Sequence, residues 1–435
     1  MVIWGATIDG RLPSVRWRTQ LLFFCFLLFL FPSLSFGHES NNQINDDQIN
    51  IEFSNFSNPV KLHLDNDIAL GTAQVGAVSP QGFTVLLTNR LIVKTASDFN
   101  VRRMKDFHQE IEQVSELYLG NDFTYFLVEL TTTAAVPAVL HVLRSNSAIL
   151  LIQPDILQHT KIAAASPSQS ISKSAQVQYQ SYLQQLGIFS LWQRTLGAGV
   201  KLAIIDDGID LSHPAFATTK TIFSFDTRTR QLSAQPLAAI DKHGTLVAGV
   251  IFAAHNSGVL NGIAPAAELI AIRQPDTWTS STLLAFNLAK LAQADVINCS
   301  WNTHFLLEPV GDVVNDLANN GRKGKGTAVI FSAGNESVQL AQLTTEASIP
   351  DAITVGAVDK AGVKLSSSNF GETVDISVYG APLRSTANHG GYHLFSGTSL
   401  SAAIVSGLSA LLISNQPNIN LHELQEALKK RADFN

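Results

Sequence analysis

The sequence predicts an α/β protein: a parallel sheet covered by helices on both faces, preceded by a smaller unit that mixes strands and helices. Two observations carry this expectation. Lys201 to Ile205, Glu268 to Ile272, Val296 to Cys299, Thr327 to Phe331 and Ala352 to Val358 are largely apolar runs separated by stretches that form helices. Strands without regular polar alternation bury both faces, the habit of parallel sheets. Polar, glycine-bearing turns follow several of these strands, and open α/β sheets gather their working residues beyond the carboxyl ends. Hydrophobic residues make up 46% of the 435, with 28 glycines, enough for an ample core. A net charge of -6 without any basic stripe argues against a nucleic-acid partner.

In chain order, Arg11, Arg16 and Arg18 precede the run Leu21 to Phe31, apolar apart from Cys25, and Ser35-Phe36-Gly37 ends it with small residues. Eleven apolar residues are too few to span a bilayer comfortably. Residues 1–37 therefore read as a signal peptide cut after about Gly37, which makes the protein secreted or periplasmic and limits its membrane contact to that leader. An uncleaved anchor is the other reading of so long a positive leader. Cys25 leaves with it, and the remaining thiol, Cys299, sits in an apolar run as a small buried hydrophobe.

Residues 38–90 read as an N-terminal extension without an assigned role: Asn-, Gln- and Asp-rich and flexible to 58, with short alternating runs beyond. Over 91–161 the expected order is strand (Leu91 to Lys94), helix (Val101 to Val114), strand (Phe123 to Leu130), helix (Pro137 to Leu143) and strand (Ile149 to Gln153), a small sandwich with nothing catalytic in it. Residues 162–180, rich in Ala, Ser and Gln, read as an exposed linker. The strand and helix rhythm fills 181–435, with helices expected at about 243 to 254, 280 to 293, 310 to 320, 399 to 414 and 421 to 431.

Three polar groups fall at strand ends or helix starts, and a fourth opens the most apolar helix. Ala203-Ile204-Ile205 runs into Asp206-Asp207-Gly208, where a carboxylate must be bound by something or serve a turn. His243-Gly244-Thr245 opens a helix, Phe331-Ser332-Ala333-Gly334-Asn335 ends a strand in a turn, and Ser399 lies on the first turn of the small and apolar run to Leu412. Singly, each is equally a cap or turn residue. Together they appear in the order Asp, His, Ser, with an amide before the last, the order known for subtilisin.

Residues 180 to 435 resemble the subtilisin-like serine proteases on these and further motifs: Gly262-Ile-Ala-Pro, Asp295-Val-Ile-Asn-x-Ser, Ile353-Thr-Val-Gly-Ala and Ser396-Gly-Thr-Ser. The resemblance implies a secreted serine endopeptidase acting on protein or peptide substrates. In it Ser399 is the nucleophile, His243 the base, Asp206 its orienter and Asn335 the oxyanion donor, with Asp207 a turn residue. It also implies substrate-binding roles for Ser300, Trp301, Asn302, Ala333 and Gly334. Residues 91–161 resemble the family's inhibitory propeptide, an α+β ferredoxin-like domain that makes the chain a zymogen and acts as its own partner in cis, with self-cleavage near Lys161. Calcium is the family's structural ion, and His255, Asn256, Ser257 and Asn261 occupy the corresponding loop, which has no carboxylate. The chain departs from the family at Leu400, Ser401, Ala402 and Ala403 after the nucleophile, at Leu246, and at Asn302 and Thr303, where glycines are usual. A non-catalytic binding protein on the same scaffold is the alternative. No His-Glu-x-x-His or Gly-x-Ser-x-Gly sequence supports a zinc protease or a lipase-type hydrolase.

Overall fold

The computed structural model describes residues 50–64, 75–79, 82–158, 181–255 and 260–432. The leader, the linker over 162–180 and positions 256 and 257 of the calcium loop lie outside the described residues.

Strands β1 (Asn50–Asn55), β2 (Asn58–Leu64), β3 (Val75–Val78), β4 (Thr84–Ala96), β5 (Ile111–Leu119) and β6 (Phe123–Leu130) form one antiparallel sheet, completed by β7 (Ile149–Gln158) after helix α1 (Val136–Arg144). Residues 50–64 form a regular hairpin, whose first strand and tip lie where the composition implied flexibility and whose second strand lies in the alternating runs expected beyond 58. Ile51 and Phe53 are buried and Glu52 and Ser54 exposed, a short period-two signal among many Asn and Asp. The helix expected over Val101 to Val114 is instead a 3-10 turn, Val101–Phe107, followed by β5. Two register shifts in β5, at Ile111/Gln113 and Glu116/Tyr118, insert extra residues and stretch the apolar spacing toward three. That spacing imitates a helix face.

After the short helices α2 (Ser181–Gln185) and α3 (Ile188–Trp192) comes the seven-stranded parallel sheet. Its members are β8 (Lys201–Asp206), β9 (Lys220–Asp226), β10 (Glu268–Arg273), β12 (Val296–Cys299), β13 (Ala328–Ser332), β14 (Ile353–Val358) and β15 (Ile376–Tyr379). The two-residue strand β11 (Thr277–Trp278) stands outside it and pairs with β7. Spatial order is β15-β14-β13-β12-β8-β10-β9. The sequence signalled five of these strands; β9, exposed to half-buried along most of its length, and β15 are additions. Successive residues of β8 serve opposite faces: Leu202 and Ile204 belong to one core cluster, Ala203 and Ile205 to the other. Helices α4 (His243–Phe252) and α7 (Thr398–Asn415) cover the first face. The second is covered by α5 (Thr279–Leu291) and α6 (Glu308–Gly324, kinked at Gly321 to Lys323), onto which Tyr118 and Tyr125 of the N-terminal sheet pack. A final hairpin, β16 (Leu383–Ala387) and β17 (Gly391–Phe395), leads into α7, and α8 (Leu421–Ala432) ends the fold. Helix α7 is long and apolar enough to cross a membrane, yet 89% of it is buried inside the protein.

From β8 the chain moves outward toward β10 and β9, whereas from β12 it moves to β13 and beyond. The connections thus diverge between β8 and β12, and in open α/β sheets the working residues gather beyond the carboxyl ends of two such strands.

Candidate active site

Asp206 is the last residue of β8, and its carboxylate lies 2.9 and 3.0 Å from Nδ1 of His243 at the start of α4. Both side chains are almost fully buried. A carboxylate only accepts, so Nδ1 carries the proton and Nε2 is left as the acceptor. That Nε2 is buried without a hydrogen-bond partner among the described residues. Asp207 does something its neighbour does not: its carboxylate accepts the backbone N–H groups of Lys242, His243 and Gly244 at 2.9, 3.0 and 2.8 Å. It therefore caps the helix that presents the ring, where an anion also suits the helix dipole. Burial and the adjacent Asp206 charge push Asp207 up to about 7, against those N–H donors and His243.

Ser399 follows Gly397 and Thr398 at the buried start of α7. Gly397 has φ 91°, and a Cβ there would stand 2.7 Å from Oδ1 of Asn335, so only glycine fits. The Ser399 hydroxyl donates to the carbonyl of Ser300 (3.1 Å), and the Ser300 hydroxyl donates to the carbonyl of Ser399 (3.2 Å). Behind them Asn298 donates to the Ser300 hydroxyl and accepts from Ser406, each at 2.9 Å. This buried polar chain, which sequence reasoning missed, ties α7 to the end of β12. An Asn inside an otherwise apolar strand was its only sequence signal. Asn335 extends from the turn after β13 and accepts the Thr398 N–H through Oδ1 (3.0 Å), which leaves its Nδ2 as the outward donor. Adjacent strands lie about 4.8 Å apart. The ends of β8, β12 and β13 thus hold Asp206 with His243, Ser300 with Ser399, and Asn335 side by side.

Residues 197–435 match the subtilase family, Peptidase S8. A thermophilic serine proteinase of Bacillus sp. (strain AK1) is 32% identical over 367 residues, covering 78% of this chain and 86% of the relative. The chain belongs to the subtilase family. That is a family of serine endopeptidases. A calcium-dependent protease of Trichormus variabilis is 28% identical over 333 residues, covering 67% of this chain and half of the relative's length. Among solved structures, a protease from Pseudoalteromonas arctica shares the fold, with a TM-score of 0.50 and 22% identity over 58% of this chain and 89% of its own.

In this subtilase the five expected substrate-binding residues line the turns after β12 and β13, but not all with their side chains. Trp301 faces the core: its Nε1 donates to the Ile205 carbonyl (2.9 Å) and its ring meets Phe331 edge to face. Ala333 is fully buried and its backbone is already bonded: its N–H donates to the Val355 carbonyl and its carbonyl accepts from the Asn369 amide, each at 2.9 Å. Asn302 is buried with Oδ1 unpartnered among the described residues, and Gly334 (φ 99°) packs against its amide. Thr303 is locked by the buried Glu346, which accepts its N–H (2.8 Å) and hydroxyl (2.7 Å).

The end of β7 lies against this region. Gln158 and Leu157 pair with Thr277 and Trp278 of β11, and the Gln158 amide bonds the N–H and carbonyl of Phe305 at 3.0 and 2.9 Å. Fully buried Asp155 accepts the Ser280 N–H (2.9 Å) and hydroxyl (2.7 Å) at the start of α5 and pairs with Arg90, which lies over the Trp278 ring. Cys299 is buried, and burial pushes its thiol pKa up, consistent with a packing role. His255 bonds the Gly262 carbonyl and stacks edge-on to Trp192. No cluster of three or more His, Cys, Asp or Glu side chains that could hold a metal occurs among the described residues, which leave out positions 256 to 259 of the calcium loop.

Proposed function

We propose that this subtilase is an exported serine endopeptidase made as a zymogen, with Asp206, His243, Ser399 and Asn335 as its catalytic groups. The observation that carries the reading is the Asp206–His243 pair, whose outer nitrogen is buried and unpartnered. Leaving a buried polar atom unpaired is unfavourable, and such groups call for a functional explanation.

In this mechanism the Ser399 hydroxyl, which donates to Ser300 at rest, turns by one staggered χ1 step toward His243. The imidazole takes its proton while Oγ attacks the peptide carbonyl. The oxyanion accepts from Asn335 Nδ2 and from the Ser399 N–H, one of the unpaired donors at a helix start. His243 then gives the proton to the leaving amine, and a water molecule, activated by the same ring, hydrolyses the acyl enzyme. Asp206 holds the tautomer and stabilises the imidazolium. Residues 91–161 act as the propeptide: the pairing of Leu157 and Gln158 of β7 with β11 supports this, since an extended substrate also binds by adding to a strand edge. Cleavage near Lys161 and export through the leader complete the reading; sequencing the N-terminus of the processed protein tests both, and a start upstream of Gln153 refutes the first. Relatives named calcium-dependent proteases favour a stabilising ion. No step here requires one.

A fluorophosphonate probe is expected to label the purified protein at Ser399. Asn335→Leu is expected to lower kcat roughly 10²- to 10³-fold with KM little changed, the size measured on subtilisin itself. A kcat within a factor of two of the parent would remove Asn335 from the oxyanion site.

Burial lowers the His243 pKa, but the Asp206 charge and hydrogen bond, joined by Asp207, more than offset it, so the ring titrates above its ordinary value. Only the neutral ring accepts a proton, so kcat/KM is expected to fall with decreasing pH through a midpoint above about 6.5. Asp207 is raised into the same range, so the profile reports it and His243 jointly. Stability runs the other way: a raised folded pKa contributes fully below about 6.5 and is lost as pH rises through the folded value. A rate profile flat from roughly pH 5 to 8 would contradict the role given to His243.

A further inference from the structure

The hairpin of β1 and β2 has no part in the mechanism above. Its tip, Phe56-Ser57, holds both residues at positive φ, 50° and 63°. Two consecutive non-glycine residues in that region are strained, and such a turn persists only where its surroundings hold it. Here they do. Asn55 accepts the Glu308 N–H through Oδ1 (2.7 Å) and donates to the Leu306 carbonyl through Nδ2 (3.0 Å). Glu308 in turn accepts the Phe56 N–H (2.5 Å). The exchange resembles a capping box, with Asn55 and Phe56 sharing the part of one residue, and joins positions some 250 apart instead of lying within one helix start. Gln153 on β7 donates to Ser54 and Asn55, joining the hairpin to the strand that enters the cleft.

The Phe56 ring rests on Gly311 of α6, where a Cβ would come within 3.2 Å of it. Glycine is a poor residue for a helix interior, and here its missing side chain makes the notch that the ring fills. Along the same helix Glu308, Asp312 and Asp316 recur every four residues, which aligns them on one face. Asp312 accepts from Lys94 (2.6 Å) and Tyr125 (2.5 Å), and Asp316 from Tyr118 (2.6 Å) and the Asn121 N–H (3.0 Å). The hairpin thus meets the first carboxylate of a row whose other members are met by the N-terminal sheet.

We propose that the first turns of α6, Glu308 to Gly311, are a docking surface for the hairpin Asn50–Leu64, which acts as a clasp. The polypeptide inhibitor then begins near residue 50, and the clasp sets how fast it leaves after cleavage. This rests on the reading of residues 91–161 as a propeptide.

The test uses the full chain with Ser399→Ala, a foreign protease-recognition sequence placed within 162–180, and an affinity tag after Asn435. The added protease cuts the chain on a resin, and departure of the N-terminal piece is followed without any activity of the protein's own. Phe56→Ala and Gly311→Val are each expected to speed release by about tenfold, while Lys61→Ala, on the hairpin's exposed side, matches the parent. Gly311→Val leaves the hairpin sequence intact, and an unchanged thermal midpoint of the tagged part shows that α6 still folds. Equal release rates in all variants, or immediate loss from the parent, overturn the clasp. Absence of peptide hydrolysis by the unaltered chain overturns the protease reading instead, and the release rates still decide the clasp.

Discussion

Ser399→Ala is expected to lower kcat for peptide hydrolysis by roughly six orders of magnitude, the loss measured for the equivalent change in subtilisin itself. Fluorophosphonate labelling should vanish with it, and the N-terminal sheet should stay covalently attached. The fold should be untouched: the hydroxyl makes one hydrogen bond, to the Ser300 carbonyl, and the reciprocal bond from Ser300 to the Ser399 carbonyl survives the substitution. An effect confined to stability, with the rate unchanged, would make that hydroxyl only a tie between α7 and β12. A parent chain that neither labels nor hydrolyses peptides would instead be a binding protein on a protease scaffold.

The second large effect concerns an ion triad that no motif announced. Arg273, the last residue of β10, is buried and pairs with Asp226 at the end of β9 and with Asp241, two residues before His243, both at 2.6 Å. Asp241 also accepts the Leu237 and Ala238 N–H groups, so Arg273 pins the loop that leads into His243. Arg273→Met is expected to destabilise the fold by about 3–5 kcal/mol, because it leaves two buried carboxylates without their counter-charge. Adding Asp226→Asn and Asp241→Asn should recover part of the loss, since the unpaired charges disappear. Denaturant midpoints of the single and triple variants check this, and an unchanged midpoint for Arg273→Met would mean that those carboxylates are already hydrated. Burial raises the Asp226 pKa, but backbone donors from Thr229 and Arg228 and the Arg273 guanidinium bring it below the usual carboxylate value. A depressed carboxyl pKa contributes stability above about pH 4 and loses it as pH falls further, so the triad contributes steadily at neutral pH.

Much of the site was readable because each group interrupts an apolar run. A carboxylate ending Ala203-Ile204-Ile205, a histidine opening Leu246-Val247-Ala248 and a serine opening an all-buried helix stand out where burial is otherwise complete. The N-terminal sheet was less readable. Bulges in β5 gave a strand the apolar spacing of a helix, and the hairpin tip lacks the Asn-Gly pair that usually announces such a turn.

The sequence by itself determined the parallel sheet and the order of chemical groups along it, since burying a strand on both faces demands composition that no loop shares. Tertiary structure alone decided that Asp207 caps the helix that presents the imidazole, and that Arg273 bridges two strand ends and a loop. It also decided that a hairpin from the far N-terminus seats in the Gly311 notch. These outcomes depend on which strands become neighbours and which way adjacent side chains turn. Contacts between residues dozens to hundreds of positions apart set both, and local sequence patterns carry no record of them.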